Sequence, residues 1–148
     1  MKTSAIGAVL CVIAVMTVSV AKAAAPVEPL IITLQDSSTD ASIAHMRIVL
    51  DRDTVKSGTV TLQAENQSKT LVHEVLIVRD DGIKDLPFDA KHGQVIESRL
   101  RRMGEIADLA PGRSGKLKLN LKPGTYLLFC NQPGHYRDGM FAKLIVAP

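Results

Sequence analysis

The chain has 148 residues, about the length of one ordinary domain. Its formal net charge is only +3, tryptophan is absent, and aromatic residues make up 3% of the chain. Nucleic-acid-binding proteins usually carry a basic footprint and aromatic platforms for bases, so this composition argues against that class.

The N-terminus has the pattern of an export signal. Lys2 supplies a positive charge, residues 5–21 form an uncharged apolar run, and Ala21-Lys22-Ala23 matches the small-x-small cleavage pattern. We therefore predict a signal peptide over residues 1–23, a short tether over 24–29, and a periplasmic or secreted protein with no membrane span after cleavage. The alternative is an uncleaved anchor, but the run is slightly shorter than the ~20 apolar residues that a span usually needs.

Cleavage would leave a single cysteine in the mature chain. Cys11 lies inside the apolar run, so Cys130 alone would remain, and loss of Lys2 and Lys22 would lower the formal charge to +1. A lone cysteine in an oxidising compartment cannot form an internal disulfide. It is a liability, an intermolecular partner or a ligand. The residues around Cys130 are therefore the first place to look for chemistry.

The remaining chain, residues 30–148, has the pattern of one β-domain. Apolar and polar residues alternate at 60–64 and 117–121, as in strands with one buried face. Content of Val, Ile, Leu, Thr and aromatic residues predicts further strands over Leu30–Leu34, Ile43–Leu50, Leu71–Val78, Thr125–Cys130 and Phe141–Val146. Gly and Pro turns separate several of these strands. Short strands at this spacing predict an all-β sandwich or barrel.

Residues 80–102 do not follow this pattern of short strands separated by turns. The segment is too long for a hairpin loop, and we interpret it as an irregular excursion with a short helix near residues 93–100. The basic run Arg99, Arg101 and Arg102 lies at its end. Charge runs are usually solvated faces, and the sharper alternative is docking to an acidic redox partner, where charges mainly raise the on-rate.

The segment from Cys130 to Met140 carries the most specific chemistry. Cys130, His135 and Met140 follow one another with C-x4-H-x4-M spacing between two predicted strands, and a Pro-Gly or Asp-Gly turn precedes the His and the Met. Thiolate, imidazole and thioether form a soft set that suits copper better than magnesium or calcium. Two histidines and a cysteine with a long axial methionine make a blue-copper site, so one more imidazole is needed. His73, in a strongly apolar strand, can supply it.

Each candidate also has an ordinary structural interpretation. Cys130 could be a small buried hydrophobe and Met140 core filler, and His73 could be a core histidine, but the four residues together favour ligation. His45, beside Met46, and His92, in the excursion, are possible accessory ligands that we interpret as an ordinary strand residue and a solvated one.

An upstream strand histidine followed by a C-terminal C-x(n)-H-x(n)-M loop resembles the cupredoxin, or type 1 blue-copper, family. The four-residue gaps are similar to those of rusticyanin and sulfocyanin. Over roughly residues 43–148, the resemblance implies a Greek-key β-sandwich with one copper ion at one end, held by His73, Cys130, His135 and Met140. The chain departs from the common pattern at Glu74, where many members have Asn, and at Asn131, where many have Ser or Thr.

These features predict an electron carrier and not an enzyme. A monomer would meet a redox protein such as a cytochrome or oxidase through a small, transient interface. The alternative is a copper-binding protein for tolerance or delivery that uses the same site. A copper oxidase or nitrite reductase would need a second centre with further histidines, often beside the cysteine, whereas Phe129 and Asn131 flank Cys130.

Overall fold

The computed structural model describes residues 28–36, 46–82 and 85–148. The predicted signal peptide, most of the tether and His45 lie outside the described residues. Within them, none of the helices has the length and apolar character needed to cross a membrane. The described residues form strands and one 3-10 helix, namely β1 (Leu30–Gln35), β2 (Arg47–Leu50), β3 (Thr54–Lys56), β4 (Gly58–Asn66), β5 (His73–Arg79), β6 (Phe88–Asp89), β7 (Gln94–Val95), η1 (Glu97–Arg99), β8 (Arg102–Leu109), β9 (Ser114–Leu121), β10 (Gly124–Phe129) and β11 (Phe141–Ala147).

The strands form two sheets and a small separate hairpin. The first sheet has the order β2-β1-β4-β9, the second has the order β3-β11-β10-β5-β8, and β6 pairs with β7. The pairs β1–β4 and β3–β11 are parallel, and the other described pairs are antiparallel. This arrangement confirms the predicted all-β sandwich.

The main core lies between the two sheets, where period-2 alternation decides which side chains are buried. Leu30, Ile32 and Leu34 of β1 point inward and are fully buried, and Leu62 of β4 joins them. Each buried side chain of this size contributes about 1.5–3 kcal/mol relative to exposure. The buried side chains of the first sheet therefore form one side of the main core, and the second sheet packs against them.

Strand β5 is buried on both faces, which explains its continuous apolar sequence. Val75 and Ile77 belong to the main core, whereas Leu76 and Val78 belong to a second cluster on the outer face of the sheet. The second cluster also contains Phe129 and is covered by residues of the 80–102 excursion, including Leu86 and Val95. The excursion thus covers a second, smaller hydrophobic core on the outer face of this sheet.

The sequence located most of the longer strands but missed β3, β6, β7 and β8. Strand β8 was missed because its buried positions do not alternate, and its pairing with β5 contains register shifts around His73/Val75 and Ile77/Val78. The excursion itself holds the β6–β7 hairpin and a three-residue 3-10 helix. The short helix expected near residues 93–100 is therefore limited to one 3-10 turn, with part of that span paired as a strand.

Candidate metal centre

Strand pairing brings the candidate residues to one end of the second sheet. His73 is the first residue of β5, and Cys130 directly follows the last residue of β10. Because β5 and β10 are antiparallel neighbours, the start of one lies beside the end of the other. Met140 directly precedes β11, which is the other neighbour of β10. All four predicted site residues are therefore placed at this end.

The segment between β10 and β11, which we call the ligand loop (residues 130–140), is closed by its own backbone. The Cys130 N–H donates to the Met140 carbonyl at 3.0 Å, and the Met140 N–H donates to the His135 carbonyl at 3.0 Å. A turn in which the His135 N–H donates to the Gln132 carbonyl, also at 3.0 Å, completes the loop. These bonds hold the three predicted loop ligands in fixed relative positions.

Three donor atoms converge at the centre of this end. The Nδ1 atoms of His73 and His135 lie 3.2 Å apart, and the Cys130 Sγ lies 3.4 Å from the Nδ1 of His135 and 3.9 Å from the Nδ1 of His73. The point equidistant from all three atoms lies about 2 Å from each, close to the ~2.0–2.3 Å bonds that a small transition-metal ion forms with nitrogen and sulfur. The three residues therefore fit a trigonal metal ion.

The three donors are withdrawn from solvent to different degrees. His73 and Cys130 are fully buried, and His135 retains 9% of its accessible surface. Met140 is also fully buried and packs in the same apolar cluster as Cys130. Within the described residues, His73, Cys130 and His135 are the group of His, Cys, Asp and Glu whose ligand atoms all lie within 4.8 Å of one another.

Burial keeps the two imidazoles neutral at physiological pH. The pKa of His73 is lowered to about 4, mainly by burial and secondarily by the neighbouring His135, while Asp36 acts in the opposite direction. Burial also lowers the pKa of His135, against the opposing charges of Asp138 and Asp36. Neutral imidazole is the form that binds a metal ion, so both rings are ready for ligation without losing a proton.

Cys130 differs because its thiol holds its proton. Burial raises the pKa of Cys130 to about 11, although the backbone N–H groups of Glu74 and Gln132 hydrogen-bond to the sulfur and lower it. A metal ion must therefore displace this proton to gain the thiolate ligand. The same two N–H groups would then solvate the sulfur charge in place of water.

Asn66, the last residue of β4, holds the segment that leads to His73. Its buried side-chain amide donates to the carbonyls of Leu71 at 2.9 Å and Leu109 at 2.7 Å, and its Oδ1 accepts the Ser68 N–H at 2.9 Å. Leu109 is the strand partner of His73. An Asn at the end of a period-2 strand is the one sequence signal that could have indicated this role.

The two departures from the common family pattern, Glu74 and Asn131, contact each other. The Asn131 N–H donates to Glu74 Oε1 at 3.2 Å, which joins the strand that carries His73 to the ligand loop. Burial raises the pKa of Glu74 to about 7, and the charges of Glu105, Asp108 and Glu97 act in the same direction. Glu74 therefore links the two segments, while its acidity is weakened by its surroundings.

The remaining sequence candidates lie apart from the centre or outside the described residues. His92 is exposed, and its Nδ1 lies 2.6 Å from Asp89 Oδ2. In the basic run, Arg102 forms ion pairs with Glu97 at 3.0 Å and Glu105 at 2.9 Å, so much of its charge is neutralised. This pairing favours the interpretation of the run as a solvated face.

The fold and part of the sequence are shared with known copper-site sandwiches. Auracyanin from Roseiflexus castenholzii is 30% identical, with 68% of this chain and 88% of that chain covered and a TM-score of 0.54. Rusticyanin from Thiobacillus ferrooxidans is 17% identical, with 79% and 76% covered and a TM-score of 0.57. An azurin from Methylomonas sp. strain J is 17% identical, with 80% and 96% covered and a TM-score of 0.55. No protein-family model and no curated protein matches the chain.

The chain belongs to the cupredoxin family. The auracyanin similarity supports this at the level of sequence, and the two more distant proteins support it at the level of the fold alone. Family membership and the His-Cys-His group together point to copper as the metal.

Proposed function

We propose that this chain is an exported type 1 copper protein that carries single electrons between redox partners. In this proposal one copper ion is held by His73, Cys130, His135 and Met140. The observation that carries it is the convergence of two imidazole Nδ1 atoms and one buried sulfur at 3.2–3.9 Å. The Met140 side chain is fully buried in the same cluster, as an axial thioether would be.

The chain's own residues suit a one-electron carrier. When bound, copper would supply a Cu(II)/Cu(I) couple, and the two imidazoles, the thiolate and the thioether of this chain form a donor set that suits both oxidation states. The donors are held by strand ends and backbone hydrogen bonds, so little rearrangement would accompany electron transfer. Burial of His73 and Cys130 excludes water from one side, while the partly exposed edge of His135 gives electrons the shorter route to a partner.

The finer parts of the proposal follow from the sequence and from the family. The pattern over residues 1–23 supports export to the periplasm or outside the cell. A redox protein such as a cytochrome or oxidase would dock transiently on a monomer at the His135 end. We propose a carrier without enzymatic activity.

The visible spectrum of the Cu(II)-loaded full chain tests this function. We expect an intense thiolate-to-copper band, complete loss of that band in Cys130→Ala, and retention of the band with a higher reduction potential in Met140→Leu. A colourless wild-type protein would refute a type 1 site. An unchanged or lower potential in Met140→Leu would contradict the axial role of Met140.

A second measurement separates electron transfer from copper handling. A carrier exchanges electrons with a soluble cytochrome and releases copper slowly to a chelator. Rapid release of copper together with no electron exchange would instead support tolerance or delivery.

A further inference from the structure

The β6–β7 hairpin (residues 88–95) lies directly against the ligand loop, although it pairs with neither sheet. The Gly134 N–H donates to the Gly93 carbonyl at 2.8 Å, and the Gln94 side chain donates to the Asn131 carbonyl at 2.9 Å. We propose that this hairpin is a clamp that holds the Cys130–His135 segment in its metal-binding geometry, with Asn131 as its positioning residue. The inference rests on the proposed copper function.

Asn131 connects the loop to the hairpin through every polar atom of its side chain. Its Oδ1 accepts the Val95 N–H at 2.6 Å, and its Nδ2 donates to the Val95 carbonyl at 3.1 Å and to Glu97 Oε1 at 2.9 Å. The residue is buried, so these bonds are protected from competition by water. Because Asn131 directly follows Cys130, these bonds also restrict the backbone position of Cys130 and hence of its sulfur atom.

Gly93 shows how closely the two segments approach. Its φ is +68°, and a Cβ at this position would lie 3.2 Å from the Gly134 nitrogen and 3.7 Å from Pro133 backbone atoms. Only a residue without a side chain allows this contact without displacement. The turn of the hairpin thus rests on the Pro133-Gly134 bend, immediately before His135.

Aromatic contacts hold the other strand of the hairpin to the same loop. The ring of Phe88 lies 6.4 Å from that of Tyr136, and the Arg137 guanidinium lies 4.5 Å from the centroid of Phe88. Tyr136 also packs edge-on against Phe129, at 5.7 Å. The hairpin therefore contacts the loop on both sides of His135, by hydrogen bonds before it and by rings after it.

A clamp of this kind acts mainly on how long the metal ion stays bound. Release of copper requires the Cys130 and His135 donors to separate, and the hairpin resists that movement. Removal of a group that orients metal ligands typically weakens metal binding about 10–100-fold. We therefore expect loss of the clamp to accelerate copper release by a factor in this range and to alter the thiolate spectrum.

The first test removes the side-chain bonds. Copper release from the loaded full chain to an excess of a Cu(I) chelator is followed for Asn131→Ala, with Asn120→Ala as the matched control, because Asn120 is exposed on β9 of the other sheet. We expect release to be about 10–100-fold faster in Asn131→Ala and unchanged in the control. A thiolate band shifted in position or relative intensity would accompany the change.

The second test disturbs the close contact between Gly93 and Gly134 and leaves Asn131 unchanged. Gly93→Ala places a methyl group against Gly134, whereas Gly112→Ala introduces similar backbone strain at φ +70° with nothing within 4 Å of the added group. Faster copper release in Gly93→Ala but not in Gly112→Ala is the expected result. If Gly93→Ala and Gly112→Ala released copper at the same rate, the close contact of Gly93 with Gly134 would have no part in retaining the metal.

Two further measurements separate positioning from general stability and from the copper proposal itself. Leu62→Ala, in the core of the first sheet, should destabilise the fold without changing the thiolate spectrum. In the metal-free chain, hydrogen exchange at the Gly134 amide should be slow and should accelerate in Asn131→Ala. If wild-type exchange is fast, or if Leu62→Ala changes the spectrum as much as Asn131→Ala does, the clamp is refuted. A wild-type protein with protected Gly134 but no thiolate band would refute only the copper function.

Discussion

His73 and His135 present the same donor atom to the same point, but different kinds of structure position them. His73 begins a central strand with a neighbour on each side, so sheet register sets its place. His135 lies in the ligand loop, which is held by local turns, by the β6–β7 hairpin and by the hydrogen bond from Asn131 to Glu74. A ligand on a strand thus shares the rigidity of the core, whereas a ligand on a loop needs separate attachments.

Deleting each imidazole in turn is the most severe way to test this comparison. In His135→Gly the missing ring leaves a gap near the surface, since His135 keeps 9% of its exposure, whereas the gap in His73→Gly is sealed. We expect both copper-loaded variants to lose the intense thiolate band. Added imidazole should restore it only in His135→Gly. If added imidazole restored the thiolate band equally in both variants, the conclusion that the His135 position is more accessible to solvent than the His73 position would be wrong.

Asn66→Ala tests the attachment of the strand-borne ligand. The substitution leaves the buried carbonyl of Leu109 and the half-buried carbonyl of Leu71 without their side-chain donor. An unsatisfied buried polar group costs about 1–3 kcal/mol, so we expect the free energy of unfolding to fall by about 2–3 kcal/mol. Denaturant unfolding of the metal-free chain measures it. Asn120→Ala, on the exposed face, should stay within about 0.5 kcal/mol of wild type, and an equal loss there would contradict the assignment.

Proton release on copper binding is the smallest expected effect, and it compares the protonation states of the three donors directly. At pH 8 the lowered pKa values leave His73 and His135 neutral, whereas the pKa of Cys130, raised to about 11, leaves the thiol protonated. We therefore expect about one proton to be released per copper ion, and copper affinity to rise with pH. A pH indicator in weak buffer measures the stoichiometry. Two or more protons would show charged imidazoles, and none would show that the thiol is not a ligand.

The amino-acid pattern was enough to predict the β-sandwich class and to single out His73, Cys130 and His135, which the structure places together. Period-2 alternation identifies strands because one face must be buried, and the soft donors Cys130, His135 and Met140 are close enough in the chain for their spacing to carry information. The continuous apolar run around His73 predicted a strand there, and the structure has β5 at that place.

The way those donors are held depends on contacts between segments that are distant in the chain. The pairing of His73 with the loop depends on β5 and β10 being neighbours, although their ligands are 57 positions apart. The contacts of Asn131 with Val95 and Glu97, and of Gly93 with Gly134, join segments that no local pattern relates. Strand β8 was invisible in the sequence for the same reason: its irregular burial is set by its partners and not by its own alternation. Local periodicity reports the burial of one segment at a time, whereas the site is built from contacts between segments.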